Sequence, residues 1–200
     1  MNNRDYIDSV KLNGMIRDIW EIAVSHGWHD DPISKEQYLG LIVTEASEAV
    51  EADRLDKRAK TDMMANVIRL QSESAIGLCQ DWYETWFKTY YIEYVKGSIE
   101  EEFADVVIRL LDMAHGIHGE KMRWFGDNYG DKFDPEKKFI ESFWVFVREV
   151  LNWGTMNITD SIAYMYAWAD SLGIYNLDDH IRWKMKYNEL RPYKHGGKKY

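Results

Sequence analysis

Two pairs of acidic residues, each three apart and each set in an apolar helical pattern, constrain this chain more than any other feature. The first lies in Leu41-Ile42-Val43-Thr44-Glu45-Ala46-Ser47-Glu48-Ala49-Val50, the second in Glu101-Glu102-Phe103-Ala104-Asp105-Val106-Val107-Ile108. Residues three apart on a helix project side by side, so each segment presents two carboxylates from a face that its neighbours want buried. If the two helices pack together, four carboxylates converge. At about 6 Å and an effective dielectric near 20, each like-charge pair costs roughly 3 kcal/mol. Such a cluster persists only with bound protons or a bound cation, so Glu45, Glu48, Glu102 and Asp105 read as a divalent-metal site.

The surrounding pattern is helical throughout. Tyr6, Val10, Ile16, Trp20 and Ala23 trace an amphipathic first helix ending near Gly27. Ser34-Lys35-Glu36-Gln37 is a capping box opening a second helix to about Lys57. Residues 61–94 form one or two helices with a break near Gly77, and their Trp82, Trp86, Tyr90 and Tyr94 keep four-residue spacing. That stripe suits a core or a dimer interface better than a base-stacking platform. Ser98-Ile99-Glu100-Glu101 is a second capping box, which makes Glu101 a cap and leaves Glu102 and Asp105 to face inward. A glycine-rich loop is expected from Gly116 to Gly130. Asp134-Pro135 then gives an N-cap with proline at the first helical position, and the helix that follows buries Phe139, Phe143, Val147 and Val150. Further helices run from about Thr159 to Leu172, stopped by Gly173, and from near Asn176 to just before Pro192. With no strand pattern and no low-complexity linker, the chain reads as one all-α domain over residues 1–200.

Two hundred residues suffice for a sizeable core, and nine Trp with thirteen Tyr make that core aromatic. A single cysteine, Cys79, excludes a disulfide framework and a cysteine-rich zinc site. No leader or bilayer-length apolar run is visible, so the expectation is a soluble cytoplasmic protein without membrane contact. The net charge of −9 is uneven: residues 182–200 carry seven Lys/Arg against one acid, a net of +6, which leaves −15 on the rest. An acidic body with one basic arm argues against a general nucleic-acid binder. It suits a protein that holds an anion between metal and cations. His180, Lys184, Asn188 and Arg191 share one helix face, and Arg clamps phosphate bidentately while Lys acts as a point charge. Lys184 and Arg191 are therefore candidate phosphate ligands, with Asn188 as a hydrogen-bonding partner and His195 and Lys198 as further candidates.

These residues resemble a known family. Glu45-x-x-Glu48 followed by Glu102-x-x-Asp105 looks like the E-x-x-E … E-x-x-D signature of the MazG-like all-α nucleoside triphosphate pyrophosphohydrolases, relatives of dimeric dUTPases and dCTP pyrophosphatases. Lys184 through Arg191-Pro192, with His195-Gly196-Gly197-Lys198, resembles the K-x-x-x-N-x-x-R-P-x-x-H-G-K ending of many members. The resemblance implies a helical bundle of that type, with hydrolysis of a nucleoside triphosphate to monophosphate and pyrophosphate as nucleotide-pool housekeeping. It also implies Mg²⁺ on the four acids, with Mn²⁺ as the substitute ion, and a homodimer or homotetramer. Two departures stand out. Glu48 and Glu102 are 54 residues apart, wider than the family's usual spacing, and Thr44 replaces the first acid of its doubled E-E block. The extra length points to helical insertions at about 60–97 and 115–154.

Other readings compete at single residues. Asp105 and Arg109 can form an i,i+4 ion pair; Asp112 is either an outer-shell partner or a surface acid; His115 and His118 read as surface histidines. Asn13, Trp20 and Trp28 are candidates for base recognition. A di-iron carboxylate bundle would need paired E-x-x-H motifs, and none occurs. A non-catalytic helical nucleotide-binding or assembly protein is the alternative to the enzyme.

Overall fold

Helix ends in this protein are set by capping chemistry that the sequence announces. The computed structural model describes residues 9–74, 80–119, 133–152 and 158–197. Its helices are α1 (Ser9–Ser25), α2 (Lys35–Arg54), α3 (Thr61–Ser74), α4 (Gln80–Tyr94), α5 (Ile99–His118), α6 (Phe139–Leu151), α7 (Ile158–Ser171) and α8 (Leu177–Glu189), followed by a tight turn at Lys194–Gly197. Among the described residues every regular element is helical, and no helix is long and apolar enough to cross a membrane. Ser34 opens α2 with both bonds of a capping box. Gly27 at φ 76 closes α1, with Trp28 N–H donating to the Ala23 carbonyl and Gly27 N–H to Val24, and Gly173 closes α7 the same way.

Helix α5 is the hub. From Ile99 to Ala114 it is almost wholly buried, with Phe103, Ala104, Val106, Val107, Leu110 and Leu111 inaccessible to solvent. Helices α1, α2, α7 and α8 surround it. A helix enclosed on all sides is apolar on most of its circumference, and the polar exceptions on α5 are therefore informative. Ala46, Ala49 and Ala52 line the buried face of α2, and these small side chains let it lie close to its neighbours. Glu100 is one polar exception with a structural role. It takes Arg58 Nε at 2.7 Å and Ala59 N–H at 2.8 Å, which ties the loop after α2 to the start of α5.

The two regions expected as insertions differ in how they pack. Helices α3 and α4 form a satellite core of Met64, Val67, Phe87, Tyr91 and Val95, closed by Trp183 and Tyr187 of α8. Helix α6 instead joins the main core through Phe143, Phe146, Val147 and Val150 and packs on α2 and α7. The Tyr164 hydroxyl fixes that contact by donating to the Ser142 carbonyl at 3.0 Å.

Several expectations need correction. The Trp82 stripe is core only in part: Trp86, Tyr90 and Tyr94 pack against the satellite core beside the fully buried Phe87, Tyr91 and Val95, while Trp82 is half exposed and stacks on Trp86 at 5.6 Å. Gly116 begins no loop but sits within α5, where the Tyr38 hydroxyl occupies the space a β-carbon would need. Asp134-Pro135 forms a turn, with Asp134 accepting from the Glu136 and Lys137 N–H groups, and the helix starts at Phe139 instead. The break near Gly77 and most of the Gly116–Gly130 stretch lie outside the described residues.

Candidate functional site

Because α2 and α5 pack side by side, their acidic faces meet at the floor of a cavity of about 500 Å³. Carboxylate oxygens of Glu45, Glu48 and Glu102 all lie within 4.8 Å of one another. Glu102 is buried, Glu45 half-buried and Glu48 exposed, so the trio spans from core to opening. Arg109 Nε donates to Glu45 Oε1 at 3.1 Å, which replaces the i,i+4 pairing with Asp105 that the spacing also allowed.

The fourth predicted acid lines the same cavity but stands outside that trio. Asp105 Oδ2 lies 2.5 Å from Lys184 Nζ, and the same ammonium donates to Glu101 Oε1 at 2.6 Å. Glu101 also accepts from the Tyr91 hydroxyl at 3.0 Å and from Gly97 N–H. The Ser98 hydroxyl accepts from Glu101 N–H at 3.2 Å. Only half of the expected capping box forms: Ser98 caps the helix, but the Glu101 side chain, 2 % exposed, bonds Gly97 N–H rather than Ser98 N–H and belongs to the acidic site. Lys184, expected on a phosphate, is an internal cation held between two buried carboxylates.

Burial and crowding decide the charge states. Burial first, then Asp105 and Glu101, push the Glu102 carboxyl up to about 9. Burial lifts Asp105 to about 7 against the pull of Lys184. For Lys184 burial alone would lower the value, but Asp105 and Glu101 outweigh it and hold the ammonium raised. Without a cation, Glu102 therefore carries a proton at neutral pH. A carboxyl forced to keep a proton beside two others is what a hard cation can replace, and three oxygen donors suit Mg²⁺ or Mn²⁺ better than softer metals.

The remaining candidates fall into three groups. Asn188 and Arg191 line the cavity, Asn188 with its Oδ1 buried and unpartnered, and Arg191 with its guanidinium 5.8 Å from the Tyr187 ring. His195 stands at the rim, edge-on to Trp28 at 5.0 Å. The arm that carries it is docked in the same chain: His26 Nε2 lies 2.9 Å from the Arg191 carbonyl, Lys194 N–H donates to the His26 carbonyl at 3.0 Å, and the Tyr193 hydroxyl reaches Asp30. Lys198 and the side chains of Asn13 and His118 lie outside the described residues. Trp28 lines the cavity, whereas Trp20 is stacked on His29 at 3.8 Å and on His115 at 4.1 Å. Asp112 and His115 are not surface groups. Asp112 is 5 % exposed and bonded to His29 Nε2 at 2.9 Å, and His115 Nδ1 is buried.

Sequence reasoning missed Glu101, Lys96 and Arg109 as cavity-lining residues. Glu101 was legible in principle, since it precedes Asp105 by four residues and so shares its face. Comparison with protein-family models, with curated proteins and with solved structures finds no match to this chain.

Proposed function

We propose that this chain is a MazG-like nucleoside triphosphate pyrophosphohydrolase, acting in the cytoplasm on the free nucleotide pool. The observation that carries the reading is the carboxylate trio of Glu45, Glu48 and Glu102 on the floor of a cavity whose walls bring Lys96 and Arg191 to the same space. Acids alone would suit a cation, and cations alone an anion. Both together suit a metal-bridged polyphosphate. Mg²⁺ held by the trio would supply Lewis-acid polarisation of the phosphate and a more acidic water.

The protein's own residues divide the remaining work. Glu45, Glu48 and Glu102 would hold the ion, Glu102 in its deprotonated form. Asp105 lines the same cavity outside the ion-holding trio, with one oxygen on Lys184, and is the carboxylate assigned to accept a proton from the attacking water. Water oxygen bonds to the α-phosphorus while the bond from that phosphorus to the bridging oxygen of the β-phosphate breaks. The pair on that oxygen leaves with pyrophosphate. Arg191 and Asn188 bind the departing oxygens, and His195 closes the rim. The reading includes a homodimer or homotetramer, and an exposed apolar stripe on α6 (Ile140, Trp144 and Leu151) is a face such assemblies cover.

Product analysis tests the chemistry. With Mg²⁺ and a panel of NTPs and dNTPs, anion-exchange separation of an early time point should show monophosphate and pyrophosphate in equal amounts. Accumulating nucleoside diphosphate would move the attack to the γ-phosphorus and defeat the proposal. No turnover with any nucleotide, in a preparation that still binds them, would favour the non-catalytic nucleotide-binding alternative. Sedimentation velocity on the same preparation reads the assembly, and a monomer at micromolar concentration would remove the oligomer from the proposal.

A further inference from the structure

Along α5 the cavity runs from Gly97, just before the helix, to Asp112, a span of about 20 Å at 1.5 Å per residue. The acidic trio and Asp105 occupy its middle. Beyond them, one and two turns further on, come Arg109 and Asp112, three residues apart and so on one face of the helix. Both also line a smaller adjoining space of about 120 Å³, and Trp28 and Leu41 line both spaces as their apolar wall. Among the described residues, Arg109 donates to Glu45 through Nε alone and the Asp112 carboxylate takes His29 on Oδ1, so both Nη groups and Oδ2 have no partner there. His29 in turn is packed on Trp20, which fixes the carboxylate's orientation from behind.

Resting on the proposed hydrolase reading, we infer that Arg109 and Asp112 read the edge of the substrate's base and select guanine, with Trp28 against its face. The argument is a matching of donors and acceptors. Ionised Asp accepts only, and Arg donates only. Guanine presents two adjacent donors, N1–H and N2–H₂, beside an acceptor, O6, with N7 next to it. A carboxylate can take both donors while a guanidinium takes O6 and N7. Cytosine and adenine each offer the carboxylate a single amine beside a bare ring nitrogen, and adenine has no O6 for the guanidinium, while uracil sets carbonyl oxygens on either side of its single donor. A buried site built to be hydrogen-bonded rejects a base that leaves its groups unpaired far more strongly than an apolar pocket rejects a wrong shape.

Two measurements on the intact protein test this separately from the chemistry. Calorimetric titration with GMP, IMP, AMP, CMP and UMP requires no turnover. GMP should bind at least tenfold tighter than AMP or UMP, and IMP, which lacks only the N2 amine, should fall between. Hydrolysis of GTP, ITP, ATP, CTP and UTP with Mg²⁺ should follow the same order in kcat/KM. Asp112→Asn offers one acceptor instead of two, so it should bring the GMP and IMP affinities together while thermal melting shows the protein still folded. If that variant does not fold, the wild-type series alone decides. Equal affinities for GMP and AMP, or CMP binding tightest, overturn the inference and leave the hydrolase standing if monophosphate and pyrophosphate still form. A clear GMP preference without pyrophosphate release overturns the hydrolase and keeps the base-reading pair.

Discussion

Replacing Glu102 by glutamine is expected to abolish Mg²⁺-dependent turnover, by a thousandfold or more, and to leave the metal-free protein folded and less sensitive to alkali. The carboxyl is raised to about 9 in the folded protein from an ordinary value of 4.5. A raised acid contributes its share of stability below the unfolded value and loses it as pH climbs through the folded one. Between those limits the folded state holds a proton that the unfolded state does not, so stability falls by about 1.4 kcal/mol for each pH unit from this group alone. Asp105, raised to about 7, adds the same sign over the lower part of that window. Wild type in chelator should therefore melt progressively lower from pH 6 to pH 9, and Glu102→Gln should flatten the upper part of that slope. Metal reverses the dependence, because binding releases the proton and affinity rises with pH over the same range. Melting curves at pH 6, 7.5 and 9, with chelator and with Mg²⁺, check both halves. A variant that keeps wild-type turnover would remove Glu102 from the site. Parallel wild-type and variant slopes would mean that the carboxyl is ionised and satisfied by protein groups.

How much of this was legible depends on whether a feature is local. The capping box at Ser34 and the glycine stops at Gly27 and Gly173 are local, and the structure has them where the pattern puts them. The Glu45/Glu48 pair and Glu102 needed one further step, that two apolar helices with acidic faces pack together, and α2 against α5 supplies it. Questions of partnership were not legible. Two residue sets keep the same four-residue spacing, Trp82/Trp86/Tyr90/Tyr94 on α4 and Phe87/Tyr91 on α4 with Val95 just past its end. What turns the second inward is a distant helix, through Tyr187 stacked on Tyr91 at 4.5 Å. Gly116 reads as a loop starter until Tyr38, nearly eighty residues earlier, is seen to need the space. Asp112 could not be placed inside or outside without His29, which follows the end of α1. Lys184 is the sharpest case: a lysine on a basic helix face is a phosphate ligand or an internal counter-ion according to what its helix packs on.

That ambiguity gives the largest effect expected on stability. Lys184→Met should cost roughly 3–5 kcal/mol, because it leaves Glu101 and Asp105 buried without their shared cation. For a chain of this size that corresponds to a drop in melting temperature of roughly 10 °C. Glu101→Gln in the same background should recover part of the loss, since the double variant removes a buried charge that the single one strands. Thermal melting of the two single variants and the double one yields the coupling directly. Metal makes the test sharper. With the ammonium gone, Asp105 is free to join Glu45, Glu48 and Glu102, so Mg²⁺ should raise the melting temperature of Lys184→Met by more than it raises that of wild type. A lysine that served only as a phosphate ligand behaves differently. Its loss would leave the chelator melting curve nearly unchanged, give Mg²⁺ no larger effect, and appear as weaker nucleotide binding instead. The buried pair of bonds at 2.5 and 2.6 Å argues for the first outcome. In that arrangement Lys184 holds the metal-free site together as the shared counter-ion of Glu101 and Asp105.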